Sequence, residues 1–132
     1  VLDVLTFAVG AIGGISLLVG AIGIVTIMTI AINERTNEIG LLRALGARQS
    51  QVLSLFLGEA IVLAAIGGLS GLVLGIGIAQ LLHFALPALP VHTPVHFVLL
   101  AEAIAVVIGL LAGVLPARRA ALLDPVEALR SE

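Results

Sequence analysis

The sequence has no cysteine, no lysine and few charged residues among its 132 positions. Without cysteine, the chain can form neither disulfides nor thiolate metal sites, and it has no thiolate nucleophile. Charged residues make up only 11% of the chain, whereas roughly a quarter of a soluble domain is charged. Hydrophobic residues make up 61%, and the mean hydropathy is +1.29. Because so few polar side chains cannot cover a globule in water, the composition predicts a protein embedded in lipid.

Three long apolar runs predict an all-α integral membrane fold with three transmembrane helices. The runs cover about residues 4–32, 52–86 and 96–116, and the charged residues inside them are Glu59 and Glu102. As a helix, the first run would be about 43 Å long, which exceeds the ~30 Å hydrocarbon core. We therefore expect this helix to tilt or to project, and we favour projection at its N-terminal end.

All six positive charges are arginines, and they lie on one side of the predicted spans. Three lie between the first two spans and three follow the third span: Arg35, Arg43, Arg48, Arg118, Arg119 and Arg130. The segment before residue 4 and the loop 87–95 contain none. The positive-inside rule therefore predicts that the loop 33–51 and the tail 117–132 are cytoplasmic, and that the N-terminus and the loop 87–95 face outward.

Glycines recur at four-residue spacing on each predicted span. The longest such stripe lies on the second span, at Gly67, Gly71 and Gly75, and shorter pairs occur at Gly10 and Gly14 and at Gly109 and Gly113. A stripe without side chains lets two helix backbones approach closely, so these positions are candidates for helix packing. The alternative is that small residues are simply common in membrane helices.

The segment between the first two spans mixes leucines with charged residues and predicts a short helix. Gly46 is a usual residue at a helix C-terminus, and Arg43 in the last turn would interact favourably with the helix dipole. Leucines at 41, 42 and 45 share one side of this helix. Such a patch is expected either on the membrane surface or against a partner, and the composition favours neither.

The tail predicts a second short helix, which we expect to be amphipathic and to lie near the first. Asp124, Pro125 and Glu127 occupy the N-cap, N1 and N3 positions of a helix start, which is the pattern of a capping box with a tolerated proline.

Two acids and three histidines are candidate functional residues. Glu59 and Glu102 lie in opposite leaflets of the predicted bilayer, so a shared proton site is not expected, and we interpret both as structural. His92 and His96 have a spacing that suits a metal on a helix, with His83 nearby, but Pro94 argues against a regular helix there. We expect no catalytic, cofactor or metal site.

Three motifs carry a resemblance to a known family. They are ERTNEIGLLRALGA at 34–47, FLGEA at 56–60 followed by the glycine stripe, and LPARRAALLDPVEAL at 115–129. In their order and spacing they resemble the signature of FtsX-like permeases of the MacB type, over essentially the whole chain. The resemblance implies a permease of a type VII ABC transporter, in the bacterial cytoplasmic membrane.

Such permeases have four membrane helices, with a large extracytoplasmic domain between the first and the second. The chain resembles the last three helices, and its start at Val1 is expected for a fragment or a processed product. The resemblance implies no enzymatic activity in this chain. It has no G-x-x-x-x-G-K-[ST] run to hold phosphates, so ATP hydrolysis is expected in a separate or fused nucleotide-binding domain.

The resemblance also implies the partners. Family members form homodimers or pair with a second permease, and an ABC ATPase moves a cytoplasmic coupling helix. Long helices then carry the motion outward (mechanotransmission), to an extracytoplasmic domain and its outer-side partner, in efflux or in lipoprotein or peptide export. No nucleic acid is expected. By position, the coupling helix is the segment 34–47, and its expected ATPase contacts are Glu34, Arg35, Glu38, Leu41, Leu42 and Arg43.

Three alternatives stay open at this point. An FtsX-type regulator would use the same mechanics to control cell-wall hydrolases. A small proton-coupled carrier would use Glu59 or Glu102 and would need no ATPase. A passive membrane anchor would tolerate any change in the loop 33–51.

Overall fold

The long apolar runs form long helices. The computed structural model describes residues 2–87 and 94–130, apart from the side chains of Leu2 and Leu129. Its helices are α1 (Leu2–Glu34), α2 (Thr36–Ala44), α3 (Gln49–Ala85), α4 (Val95–Ala121) and α5 (Pro125–Arg130). By length and composition, α1, α3 and α4 can each cross a membrane. The all-α membrane fold with three spans and two short helices is therefore confirmed.

Each long helix exceeds the thickness of the hydrocarbon core. The 33 residues of α1, the 37 of α3 and the 27 of α4 correspond to lengths of about 50, 55 and 40 Å, against ~30 Å of hydrocarbon. These helices must therefore tilt or extend past the lipid.

The packed core lies at one end of the bundle. We call this the arginine end, because α2 and α5 lie there with the loops that carry the arginines. Helix α4 packs extensively on α3 and also on α1, whereas α1 and α3 contact each other far less. The buried cluster comprises Met28, Ile32, Ile39, Val52, Phe56, Ala60, Ala117, Ala120 and Ala121. The first half of α1, by contrast, is exposed along its described length.

Small residues form the contact between α3 and α4. Gly109 faces Ala64, and Gly113 faces Ala60 one helical turn later. A methyl group added to either glycine would overlap the alanine methyl opposite it. The pair Gly109 and Gly113 therefore serves close helix packing, as small residues at four-residue spacing do in membranes.

The chain bends at Arg35, where α1 ends and α2 begins. The predicted coupling segment began at Glu34, but Glu34 belongs to α1 and the helix α2 starts at Thr36. Arg35 has φ −107° and ψ 18°, outside the helical region. The Thr36 hydroxyl donates to the carbonyl oxygens of Ile32 at 3.1 Å and Asn33 at 2.9 Å. Such bonds from a threonine hydroxyl to the preceding turn are associated with helix bending.

Gly46 ends α2 as its residue type predicts. Its φ is +98°, in the left-handed region that favours glycine. The Ala47 amide donates to the Leu42 carbonyl at 3.0 Å, and the Gly46 amide donates to the Arg43 carbonyl at 3.1 Å. Together these two bonds form a Schellman motif, which satisfies carbonyls that the end of a helix leaves free.

We expect Gly46→Ala to destabilise the chain, because alanine must adopt a left-handed conformation that costs about 1 kcal/mol. Gly77→Ala is the matched control, since Gly77 lies inside α3 with open space around its Cα and alanine in a helix is favoured over glycine by about 1 kcal/mol. The two variants should shift the thermal unfolding midpoint in detergent in opposite directions. Shifts of the same sign would contradict the proposed strain at Gly46.

Helix α4 does not end at Pro116, where the third span was expected to end. It continues to Ala121, so the first residues of the expected tail are helical. Proline removes one backbone hydrogen bond. Here Pro116 is fully buried in a membrane helix, a setting in which neighbouring helices tolerate the break. The buried Ala117, Ala120 and Ala121 continue the packed face beyond it.

Candidate functional site

Helix α2 has one anchored face and one open face. Ile39 is only 2% exposed and belongs to the same buried cluster as Met28 and Phe56. Gly40 is buried beside it. Leu41, 54% exposed, lies on the open face. The sequence does not distinguish Ile39 from the neighbouring leucines, because all four side chains are apolar.

The residues expected to contact an ATPase lie mostly on exposed surface. Glu34, Arg35 and Glu38 are exposed, and so are Leu41, Leu42 and the neighbouring Leu45, whereas Arg43 is half-buried. Because α2 is held by Ile39 while these side chains stay uncovered, the helix presents a mixed apolar and charged surface. Such a surface suits a protein partner or the membrane interface.

Arg43 turns back along the end of α2. Its Nη1 donates to the Ala47 carbonyl at 3.4 Å. Its Nε is buried and has no hydrogen-bond partner among the described residues. Arg43 therefore supports the end of α2 rather than the open face, and it is the member of the expected contact set that the structure separates from the others.

A groove of about 740 Å³ runs between α2 and α3. Its α2 side includes Arg35, Glu38 and Leu42, and its α3 side includes Phe56 and Glu59. Glu59, which the sequence marks as an acid inside an apolar run, therefore lines the same groove as three of the expected contact residues. Glu59 of α3 therefore lies beside the predicted coupling helix.

A second groove, of about 890 Å³, lies among α1, α3 and α4 on the far side of the core. Gly67, Gly71 and Gly75 line it, and a Cβ built on any of the three would meet nothing within 4 Å. No described helix of this chain covers the stripe. Its assignment to helix packing therefore stays a prediction.

Glu102 lies at the wall of the second groove, against Gly68 of α3. Its Oε2 atom is buried and has no hydrogen-bond partner within the described part of the chain. A methyl group at Gly68 would overlap this carboxylate. Glu59 and Glu102 therefore line different grooves.

The histidines form no metal site in the residues that can be described. His83 and His96 are exposed, and His96 stacks on Phe97 with ring centroids 4.4 Å apart. His92 lies outside the described residues. Across residues 2–87 and 94–130, no group of three or more histidine, cysteine or acidic side chains could hold a metal ion.

Sequence comparison identifies the family. The model of the family described as "FtsX-like permease C-terminal" matches residues 10–125. The macrolide export ATP-binding/permease protein MacB of Wolinella succinogenes is 48% identical over 134 aligned residues, covering 98% of this chain and 20% of the relative. The pyoverdine export ATP-binding/permease protein PvdT of Pseudomonas savastanoi pv. phaseolicola is 47% identical over 130 residues, with the same coverage.

A relative named only as a permease also matches. The uncharacterized ABC transporter permease YknZ of Bacillus subtilis is 45% identical over 129 residues, covering 98% of this chain and 32% of the relative. The chain thus spans about a fifth of the MacB and PvdT relatives and about a third of YknZ. With a family match over residues 10–125 and three apolar helices that can cross a membrane, the chain belongs to the FtsX-like permeases of bacterial ABC transporters.

Proposed function

We propose that this chain is the membrane part of an ABC exporter in which α2 receives the motion of an ATPase. The observation that carries the proposal is the two-sided packing of α2, which is anchored through Ile39 and open at its leucines and charges. A connecting loop needs neither feature, whereas a helix that transmits force needs both.

The relatives supply the nature of the partner. MacB and PvdT are named as ATP-binding/permease proteins, so their ATP-binding and permease parts occur in one protein. YknZ is named as a permease alone. The ATPase of this system is accordingly a fused domain or a separate subunit. This chain performs no hydrolysis itself, and it works as a homodimer or beside a second permease.

In this proposal, the arginines indicate how the chain is oriented in the membrane. All six lie in the loops and helix ends at the arginine end, and arginine-rich loops stay in the cytoplasm. The segment 33–51 and the tail 117–132 are then cytoplasmic, and the N-terminus and the loop 87–95 face outward. Helices α1 and α3, each longer than the bilayer is thick, carry movement to an extracytoplasmic domain and its outer-side partner.

The test is affinity purification of the full gene product in mild detergent, with mass spectrometry of every retained protein. We expect an ABC ATPase, fused or as a second chain. An intact protein that purifies without any ATPase, and that drives transport by a pH gradient, would replace this proposal with a proton-coupled carrier.

A matched pair of variants locates the contact. Leu41 and Leu122 lie at the same end and are 54% and 59% exposed. If the leucines dock on the ATPase, Leu41→Ser should reduce the retention of a separate ATPase subunit about tenfold, or ATP-driven transport by about the same factor where the ATPase is fused, as expected for a residue at the centre of an interface. Leu122→Ser should not. Equal retention in the two variants would instead place the leucine patch on the membrane surface.

A further inference from the structure

Helix α5 covers α2 at the arginine end. The two short helices pack against each other, and Ala128 of α5 is only 3% exposed. The chain that leads to α5 is held as well, because Ala120 and Ala121 belong to the buried cluster and Leu123 packs against it. Helix α2 therefore has two supports: the core through Ile39, and α5.

The two segments that join α2 to its neighbouring helices do not hold it rigidly by themselves. It joins α1 through one non-helical residue, Arg35, and it joins α3 through the turn after Gly46. Within α2, the buried residues are Ile39 and Gly40. With a single large side chain in the core, α2 could rotate about that contact. A second contact, from α5, would oppose this rotation.

Helix α5 is too short to persist without its cap and its docking. It has six residues, and isolated helices shorter than about 12 residues are marginal in water. The Asp124 Oδ1 atom accepts a hydrogen bond from the Val126 amide at 2.9 Å, and the Ala128 amide donates to the Asp124 carbonyl at 2.9 Å. Asp124 therefore starts the helix, and Ala128 is buried on the packed side of α5.

We propose that α5 is a brace that sets the position of α2 for its partner, with Asp124 and Ala128 as the positioning residues. The proposal rests on the proposed function, because it assumes that α2 transmits movement. Neither residue contacts the partner: their effect on coupling passes through α2.

Two matched pairs of variants in the full-length protein test the brace. Ala128→Leu adds bulk to the buried face of α5, and Val126→Leu adds bulk to its outer face, where Val126 is 66% exposed. Asp124→Ala removes the cap, whereas Asp124→Asn keeps a side chain that caps equally well. Because Asp124 is exposed, its variants keep the test decisive even if Ala128→Leu does not fold.

Two measurements are made on each variant. The first is the transport output per ATP hydrolysed. The second is the distance between spin labels on Ala44→Cys in α2 and Leu122→Cys just after α4, both exposed positions. This chain contributes no cysteine of its own to the labelling background, and any cysteine in the remainder is replaced by serine.

We expect Ala128→Leu and Asp124→Ala to shift or broaden the label distance and to lower the output per ATP about fivefold, the equilibrium effect of a typical N-cap. Val126→Leu and Asp124→Asn should match the unmodified protein in both measurements. The brace proposal would be overturned if Ala128→Leu and Asp124→Ala left the label distance unchanged. It would also be overturned if they changed the label distance and left the transport output per ATP normal. Failure of the proposed function is distinguishable, because Leu41→Ser would then leave ATPase retention and ATP-driven transport unchanged while the label distance stays native.

Discussion

Gly113→Leu is expected to separate α3 from α4 and to destabilise the bundle by about 3 kcal/mol, the upper range for overpacking a close contact. Any side chain at this position must displace the Ala60 methyl, and Met28 Sδ lies 3.4 Å from the same point. Both neighbours are buried in the core at the arginine end, so there is little room for them to move.

The control is Gly77→Leu in α3. A Cβ at Gly77 would meet nothing within 4 Å, so the same added volume should enter open space at little cost. The measurement is thermal unfolding in detergent, followed by loss of helical signal. If the two leucine variants unfold at the same temperature, the contact between α3 and α4 does not depend on Gly113.

Moving the methyl group from residue 60 to residue 113 tests the Gly113–Ala60 pair by itself. Gly113→Ala alone should destabilise the bundle, because its methyl overlaps that of Ala60. Adding Ala60→Gly removes the opposing methyl and should recover most of the loss. The double-mutant cycle should give a coupling energy of about 1 kcal/mol or more, in the range of residues in direct contact. If the destabilisations caused by Gly113→Ala and Ala60→Gly simply add, these two residues do not determine the spacing between α3 and α4.

The same contact shows how far sequence could predict this fold. The spans follow from hydropathy, and the left-handed Gly46 and the Asp124 cap follow from local chemistry that needs no tertiary information. The nearness of α2 and α5 was also expected. The spans, the Gly46 turn and the Asp124 cap depend on a few neighbouring residues, whereas the nearness of α2 and α5 follows from their position on the same side of the spans.

The choice of helix partner was not predictable. A glycine stripe indicates that another backbone can approach, but not which one. The longest stripe, Gly67 to Gly75, is uncovered within the described chain, whereas the shorter pair Gly109 and Gly113 packs on Ala60 and Ala64. Those two alanines have the same four-residue spacing, which is the signal that could have identified the match. The central place of α4 depends on how three helices cross, and no local pattern encodes that.

The candidate site on α2 was also predictable only in part. Exposed leucines and charges on α2 could be inferred from composition, but the buried Ile39 that anchors the helix could not be distinguished from them. The groove that joins Glu38 and Glu59 could not be predicted either, because it brings together residues of two helices. Arg43 was grouped with the contacts by position, yet its side chain turns back to the Ala47 carbonyl.

Glu38→Lys in the full gene product is expected to uncouple ATP hydrolysis from transport and to leave folding intact. Glu38 is exposed, so the protein should tolerate lysine there. In the groove between α2 and α3, Glu38 lies with Arg35 and Glu59. Reversing its charge places two cations at three-residue spacing on one surface, where like charges repel. It also replaces any attraction to a cationic group of the partner with repulsion.

The expected loss of coupling in Glu38→Lys follows from the cost of placing like charges across an interface. Like charges brought together across a protein contact cost several kcal/mol, so the transport output per ATP hydrolysed should fall more than tenfold. Hydrolysis itself should continue, because its chemistry lies in the ATPase. The two rates are measured together on the purified protein in lipid vesicles, with unfolding temperature as the check on folding.

Two further variants show whether the charge or the position matters. Glu38→Gln removes the charge without reversing it and should give an intermediate loss. Leu122→Lys adds a positive charge at the same end of the bundle, on a residue that is 59% exposed and lies outside α2 and α5, and should couple normally. If Glu38→Lys also couples normally, α2 does not meet the ATPase through this face, and the leucine patch would be assigned to the membrane surface. If both lysine variants uncouple, the effect comes from net charge at the arginine end, because a specific contact at Glu38 would spare Leu122→Lys.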